Sequence, residues 1–104
     1  MIGQKNLEIL RETSSTKWLT DLVWRTAAKL GYKDIFVSKE QQISDDHQPF
    51  LRRNVAATDI IDLAGFQNEG YWHTPQDTLD KVSPRSLAIV GHVILESVAE
   101  LQRR

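Results

Sequence analysis

Apolar residues recur with a helical period in two segments of the chain. In segment 17–30 they stand at every third or fourth position, and Gly31 follows where a helix can end. The second segment begins at Ser83-Pro84, a serine suited to cap a helix followed by a proline suited to its first turn. We predict a first helix capped by Ser14 or Ser15, and a long second helix. The apolar face of the second helix is predicted to consist of Leu87, Val90, Gly91, Ile94, Leu95, Val98 and Leu101.

Shorter runs of β-branched and other apolar residues separate these helices. Segment 6–10 is predicted to be a strand or the edge of a loop, Ile35–Val37 a short strand, and Val55–Leu63 a buried strand. Segments 39–47 and 64–71 are predicted loops, and a short helical turn is expected at Phe50-Leu51, ending near Arg53. Alternating helices and strands predict an α/β fold. Because so few strands form only a small sheet, which is marginally stable by itself, we expect this chain to be part of a larger fold.

Composition narrows the classes of function. The chain has 104 residues, enough for one small domain, and 40% of them are hydrophobic. A net charge of -1 gives no field that would attract nucleic acid or an anionic membrane. No apolar run is long enough to cross a bilayer, and the absence of cysteine excludes disulfides and thiolate metal sites. The expected partners therefore include neither nucleic acid nor membrane.

Polar residues that could carry chemistry fall in two clusters, segment 44–50 with Asp45, Asp46 and His47, and the Trp72-His73 pair. A histidine can bind a metal or move a proton near neutral pH, and an adjacent aromatic can form a pocket wall. A zinc site needs three or four ligands, and these candidates lack the close spacing of a local site. The loop 64–71 is long enough for the two clusters to share one site, which we state as a hypothesis. Three other residues, Trp18, Trp24 and His92, are interpreted as structural.

The order of motifs DDHQPFLRR, VAATDIID and YWHTPQDTLDKVSPRSL resembles the C-terminal part of the M28 family of zinc exopeptidases and their relatives, the glutaminyl cyclases. The resemblance covers at least Asp45 to Leu87, and Met1-Ile2-Gly3 resembles a strand-ending segment of the family. DDHQPFLRR and the aromatic before His73 favour the cyclases, whereas HTPQDTL favours the aminopeptidases.

The resemblance implies a partial three-layer α/β/α fold with few strands and flanking helices, in a chain forming a single domain over 1–104 that lacks its N-terminal portion. It implies that His73 is a zinc ligand, that Asp45 belongs to a proton network near the substrate, and that Trp72 lines the substrate pocket. Asp46 and His47 match a supporting Asp-His pair. The implied parent acts on the N-terminus of peptides with zinc as cofactor. Members of the family are often secreted or periplasmic, whereas this sequence itself leaves the compartment open.

The chain also departs from the family pattern. Asn54 stands where glycine is usual and Ala56 where proline is usual. The other zinc ligands and the catalytic glutamate are expected upstream, and Glu8, Glu12, Glu40 and Glu69 do not match those motifs. The sequence thus predicts the C-terminal portion of a zinc aminopeptidase that is inactive and binds zinc poorly alone. The alternatives are a glutaminyl-peptide cyclotransferase and a non-catalytic remnant that self-associates through an exposed sheet edge.

Overall fold

A β–α–β unit forms the first half of the chain in the computed structural model, which describes residues 1–63, 70–71 and 73–104. Strand β1 (Ile9–Glu12), helix α1 (Lys17–Lys29) and strand β2 (Phe36–Gln41) follow one another. The two strands pair in parallel, with Ile9 opposite Phe36 and Glu12 opposite Gln41. A parallel pair needs a crossover connection, and α1 provides it. The predicted α/β class is confirmed.

The start of α1 differs from the prediction. Its N-cap is Thr16, and neither Ser14 nor Ser15 caps the helix. Both serine hydroxyls donate instead to the carboxylate of Glu12, the last residue of β1, at 2.7 and 2.9 Å. The end of the helix is as predicted, because Gly31 has a φ of +92°, a conformation that glycine adopts without strain.

The second half of the described chain is mainly helical. Helix α2 (Gln48–Arg52) covers the predicted short turn, and a 3₁₀ turn (Leu79–Lys81) precedes helix α3 (Pro84–Gln102). The hydroxyl of Ser83 accepts a hydrogen bond from the amide of Ser86, which confirms the predicted cap. No helix within the described residues has the length and apolarity needed to cross a bilayer.

The buried face of α3 is only partly the predicted one. It consists of Ser86, Ile89, Val90, Val93 and Ser97. Leu87, Leu95 and Val98 are 45%, 74% and 46% exposed, so the predicted face is wrong at these positions. Apolar residues occur on more than one side of this helix, and periodicity alone does not choose between the sides. Small serines allow close approach, and the Ser86 hydroxyl donates to the Gln4 carbonyl at 2.6 Å.

The main core lies where α1 and α3 pack on each other and on the two strands. Trp24 of α1 stands edge-on to Phe36 of β2, with ring centroids 5.2 Å apart, and its indole N–H donates to the Val37 carbonyl at 2.7 Å. Trp24 is thus structural, as predicted. The core residues are Ile9, Val23, Trp24, Ala27, Phe36, Ile89, Val90 and Val93.

Segment 55–63 is not the buried strand that was predicted. Its backbone forms no ladder with β1 or β2 in the described structure, and only Ile61 and Asp62 are buried. Individual bonds hold it instead: the Thr16 amide donates to the Ala57 carbonyl at 2.8 Å, and the Asp62 amide to the Met1 carbonyl at 2.9 Å. Composition rich in β-branched residues favours extended backbone, but it does not supply a neighbouring strand.

The remaining boundaries differ by a few residues. β1 begins at Ile9 and not at Asn6, and β2 continues through Gln41 into the predicted polar loop. Asn54, at the position where glycine was expected, has a φ of +60°. Asparagine tolerates that left-handed conformation better than most residues, so the turn before segment 55–63 is preserved. Most of the predicted loop 64–71 lies outside the described residues.

Candidate active site

The imidazole of His47 is the centre of a buried polar cluster. Its side chain is 3% exposed. The Nε2 atom lies 2.7 Å from Glu12 Oε1 and 3.1 Å from Ser14 Oγ. On the other side of the ring, Nδ1 lies 3.7 Å from Asp59 Oδ2. The structure therefore brings together the end of β1, the loop before α2 and segment 55–63.

The Glu12 carboxylate is held in place by hydrogen bonds from backbone amides that surround it. The amides of Ser14 and Ile43 each donate to Oε2 at 3.0 Å. Burial raises the pKa of Glu12, but these bonds and those from the Ser14 and Ser15 hydroxyls outweigh it and lower the pKa to about 2. Glu12 is thus a permanently ionised group in contact with His47.

Asp59 has the opposite environment. Its amide donates to the Ser15 hydroxyl at 3.0 Å, which holds the backbone in place. Burial raises the pKa of Asp59, the neighbouring Asp45 carboxylate raises it further, and the result is about 6 despite the opposing effect of His47. Asp59 can therefore gain or lose a proton near neutral pH, as a general acid or base must.

Asp45 reaches this cluster from the loop before α2. Its carboxylate accepts a hydrogen bond from the Asp46 amide at 2.8 Å, and its carbonyl accepts one from the Gln48 amide at 3.1 Å. Asp45 is half-buried, whereas Asp46 is exposed. Of the predicted residues in this segment, Asp45 and His47 thus meet around Asp59, and Asp46 faces away from it.

His73 belongs to a second arrangement. It is exposed and has a φ of +57°, a left-handed conformation that costs a non-glycine residue about 1 kcal/mol or more. The turn around it is held by Thr74, whose amide and hydroxyl both donate to the Tyr71 carbonyl, at 3.0 and 2.5 Å. Such unfavourable backbone is often retained at functional positions.

Tyr71 anchors this turn to the protein interior. Its hydroxyl donates to Gln4 Oε1 at 2.8 Å, and the Gln4 amide in turn bonds to Asp62 Oδ2. The Glu8 amide donates to the same Asp62 oxygen at 3.0 Å. Because Asp59 and Asp62 lie on one segment, 55–63 links the His47 cluster to the His73 turn. That the two form a single site remains a prediction.

The predicted zinc site is not complete in the described chain. His73 is a suitable ligand, since imidazole nitrogen binds zinc well. However, no group of three or more histidine and carboxylate side chains within residues 1–63, 70–71 and 73–104 is placed to hold a metal ion. The described residues therefore do not fit a zinc site by themselves. The predicted pocket residue Trp72 lies outside the described residues.

The sequence does not single out Glu12 and Asp59 as site residues. Glu12 matches no metal-binding motif, and Asp59 falls in the interior of the predicted strand 55–63. A usable signal was present in Glu12-Thr13-Ser14-Ser15, where a carboxylate in a strand is followed closely by three residues with hydroxyl groups. Such a pattern is typical of a carboxylate that accepts local hydrogen bonds. Nothing comparable marks Asp59.

Comparison with known proteins identifies a family and several similar solved structures. The family model described as peptidase family M28 matches residues 1–98. A glutaminyl cyclase from an Acidobacteriales bacterium is 39% identical and superposes with a TM-score of 0.91 over 100% of this chain and 38% of its own. A Zn-dependent exopeptidase from Parabacteroides distasonis is 31% identical, with a TM-score of 0.81 over 92% of this chain and 36% of its own.

A leucine aminopeptidase precursor from Bacteroides thetaiotaomicron is also similar, at 32% identity and a TM-score of 0.81, over 93% of this chain and 34% of its own. No curated protein matched the chain. The chain thus spans between 34% and 38% of the length of these three solved structures.

Proposed function

Because this chain belongs to peptidase family M28, we propose that it supplies part of the active site of a zinc-dependent enzyme acting on the N-terminus of peptides. In this proposal Asp45 and Asp59 handle the proton of the reaction, and Trp72 contributes to the substrate pocket. His73 donates one ligand to the metal, with the remaining ligands outside the described residues.

The two carboxyl groups of Asp45 and Asp59, here called the acid pair, are suited to transferring a proton during the reaction. Two carboxyl groups that share a partly buried position cannot both ionise easily, so one of them holds a proton near neutral pH. Asp59 lies beside Asp45, which raises its pKa to about 6 together with burial. A proton-handling pair of this kind suits glutaminyl cyclisation. The sequence interpretation put the aminopeptidase first, whereas we propose the cyclase first, which is supported by the likeness to a glutaminyl cyclase at 39% identity and a TM-score of 0.91.

Cyclisation needs one proton to be moved between two nitrogens. The α-amine of an N-terminal glutamine attacks its own γ-carbonyl carbon, and the γ-amide nitrogen leaves as ammonia. The attacking nitrogen loses a proton and the leaving nitrogen gains one, so the reaction is balanced without an external acid. We propose that Asp45 accepts the proton and returns it to the leaving group, with Asp59 holding the second proton position.

Aminopeptidase activity is the second candidate. It is supported by the likeness to the Zn-dependent exopeptidase and the leucine aminopeptidase precursor, both above 30% identity. The HTPQDTL motif around His73 points the same way. In this reaction the acid pair protonates the amine that leaves when a peptide bond is hydrolysed.

The test compares the two reactions in protein expressed from its gene with all adjoining in-frame sequence and loaded with zinc. Ammonia release from a peptide with N-terminal glutamine reports cyclisation, and release of the arylamine from an aminoacyl arylamide reports peptidase activity. We expect Asp45→Asn to lower kcat for cyclisation by about a hundredfold or more. Asp34→Asn, an exposed carboxylate change elsewhere, is the matched control.

His73 is tested in the same protein. His73→Ala is expected to abolish stoichiometric zinc and activity together, whereas His92→Ala, which changes another exposed histidine, leaves both intact. Turnover of the arylamide without cyclisation would establish the peptidase instead. Zinc-loaded protein inactive on both substrates, or unaffected by Asp45→Asn, would overturn the proposal.

A further inference from the structure

Glu12 faces the ring nitrogen of His47 that points away from the acid pair. Glu12 Oε1 is 2.7 Å from His47 Nε2, a distance typical of a charge-assisted hydrogen bond. Neither side chain has appreciable solvent exposure, at 0% and 3%. The carboxylate is ionised, so it can only accept, and Nε2 must donate to it.

The other neighbours of Nε2 agree with this assignment. The Ser14 hydroxyl gives its only hydrogen to Glu12 Oε1 at 2.7 Å, so its oxygen faces the ring as an acceptor. The Gln48 amide nitrogen is 3.4 Å from Nε2 but directs its hydrogen bond to Ser14 Oγ at 2.9 Å. These contacts place a proton on Nε2 and leave Nδ1 to meet Asp59.

Within the described residues, His47 Nδ1 and the facing oxygen of Asp59, Oδ2, have no hydrogen-bond partner. Both atoms are buried. They lie 3.7 Å apart, which is longer than a hydrogen bond. Bonds of catalytic groups are often long in structures without substrate and shorten when it binds.

We propose that Glu12 is a positioning residue, which fixes His47 in the tautomer protonated at Nε2 so that Nδ1 accepts the proton of Asp59. This inference deepens the proposed function, on which it rests for the role of Asp45. A carboxylate, an imidazole and a second carboxylate thereby form a buried relay that ends at the acid pair.

The relay moves one proton and conserves charge. When Asp59 transfers its proton from Oδ2 to His47 Nδ1, the ring becomes a cation held between two carboxylates, Glu12 and Asp59. Asp59 is then free to receive a proton from Asp45, and the reverse step returns it. Glu12 stays ionised throughout, because its pKa lies far below neutrality, at about 2. The relay therefore holds a second proton on His47, so that Asp45 and Asp59 do not both have to be ionised in a buried position.

The tautomer can be measured directly in the 104-residue chain. Long-range ¹H–¹⁵N correlation of the histidine rings at pH 8 distinguishes a protonated ring nitrogen from a bare one. We expect His47 to carry its hydrogen on Nε2 and a lone pair on Nδ1. A bare Nε2 with hydrogen on Nδ1 would overturn the proposal without any variant being made.

The role of Glu12 is tested by replacing its carboxylate with an amide. In Glu12→Gln the side chain keeps its length but can donate to Nε2, so the hydrogen of His47 is expected to move to Nδ1. Glu40→Gln, an exposed change on β2, is the matched control and should leave the ring unchanged. An unchanged tautomer in folded Glu12→Gln would show that Glu12 does not set it.

A second variant covers the case in which Glu12→Gln fails to fold. Ser14→Ala removes the hydroxyl beside Nε2 but keeps the Glu12 carboxylate, so the Nε2-protonated tautomer is expected to persist. Loss of that tautomer would assign its control to Ser14 and refute the proposal for Glu12. These measurements need no turnover, so their outcome is separate from the success or failure of the proposed enzymatic activity.

Discussion

Replacing Asp59 with asparagine is expected to stabilise the chain at pH 8 and to change how its stability depends on pH. The pKa of Asp59 is raised in the folded state from 3.8 to about 6, because of burial first and of the Asp45 carboxylate second. A raised pKa means that the protonated side chain contributes stability below pH 3.8. That contribution is lost as the pH rises through about 6. At pH 8 the wild-type chain carries an ionised Asp59 that folding disfavours, whereas asparagine is neutral at every pH.

The magnitude follows from the size of the shift. About two pKa units correspond to about 3 kcal/mol in the free energy of unfolding between pH 3 and pH 8. The Asp59 side chain is 13% exposed, and screening by solvent reduces the expected gain to about 1–2 kcal/mol. The side-chain amide that Asp59→Asn introduces can donate to His47 Nδ1 once it moves closer than the present 3.7 Å between Asp59 Oδ2 and that nitrogen.

Urea unfolding followed by tryptophan fluorescence measures this effect at pH 5 and pH 8. The advantage of Asp59→Asn should be largest at pH 8 and smaller at pH 5, where the folded wild type already binds the proton. Asp46→Asn, an exposed change in the neighbouring loop, should stay within about 0.5 kcal/mol of wild type at both values. A variant that is less stable than wild type at pH 8, or a pH dependence that the substitution leaves unchanged, would refute the reasoning.

Four further predictions concern stability, metal binding and assembly. The pKa of Glu12 is lowered to about 2, so the ionised side chain stabilises the fold above pH 4.5, and this stabilisation is lost as the pH falls through about 2. Glu12→Gln should therefore lower the free energy of unfolding at pH 7 by about 2 kcal/mol after allowing for screening, as measured by urea unfolding. Asn54 has a φ of +60°, which alanine adopts less readily than asparagine, so Asn54→Ala should lower the free energy of unfolding by about 1 kcal/mol. Asn54→Gly should be tolerated, and thermal unfolding measures both variants. The 104-residue chain prepared without metal should take up zinc weakly by calorimetry, and stoichiometric tight binding would contradict this. Sedimentation should give a dimer or larger species if the chain works as an association module, and a cooperatively unfolding monomer would count against that alternative.

The elements that local signals specify were predictable. α1 has a single apolar stripe ended by Gly31, and α3 has a serine cap and a proline, so their positions follow from rules that act within a few residues. The orientation of α3 depends on which of its apolar sides meets α1, and that choice is made by packing. The same limit explains the error at 55–63, where the composition favours a strand but does not supply a sheet partner.

The residues of the candidate site were predictable only where they belong to a recognisable sequence motif. Asp45, His47 and His73 stand in motifs that resemble a family, and the structure places the first two in one cluster. Glu12 and Asp59 lie 47 positions apart in the sequence, and they lie 33 and 14 positions from Asp45. Their opposite pKa shifts arise because the Glu12 carboxylate receives four hydrogen bonds from Ser14, Ser15 and Ile43, whereas Asp59 is desolvated by burial and lies beside the Asp45 carboxylate. A protonation state is a property of such an environment, so it follows from the fold and not from the residue type.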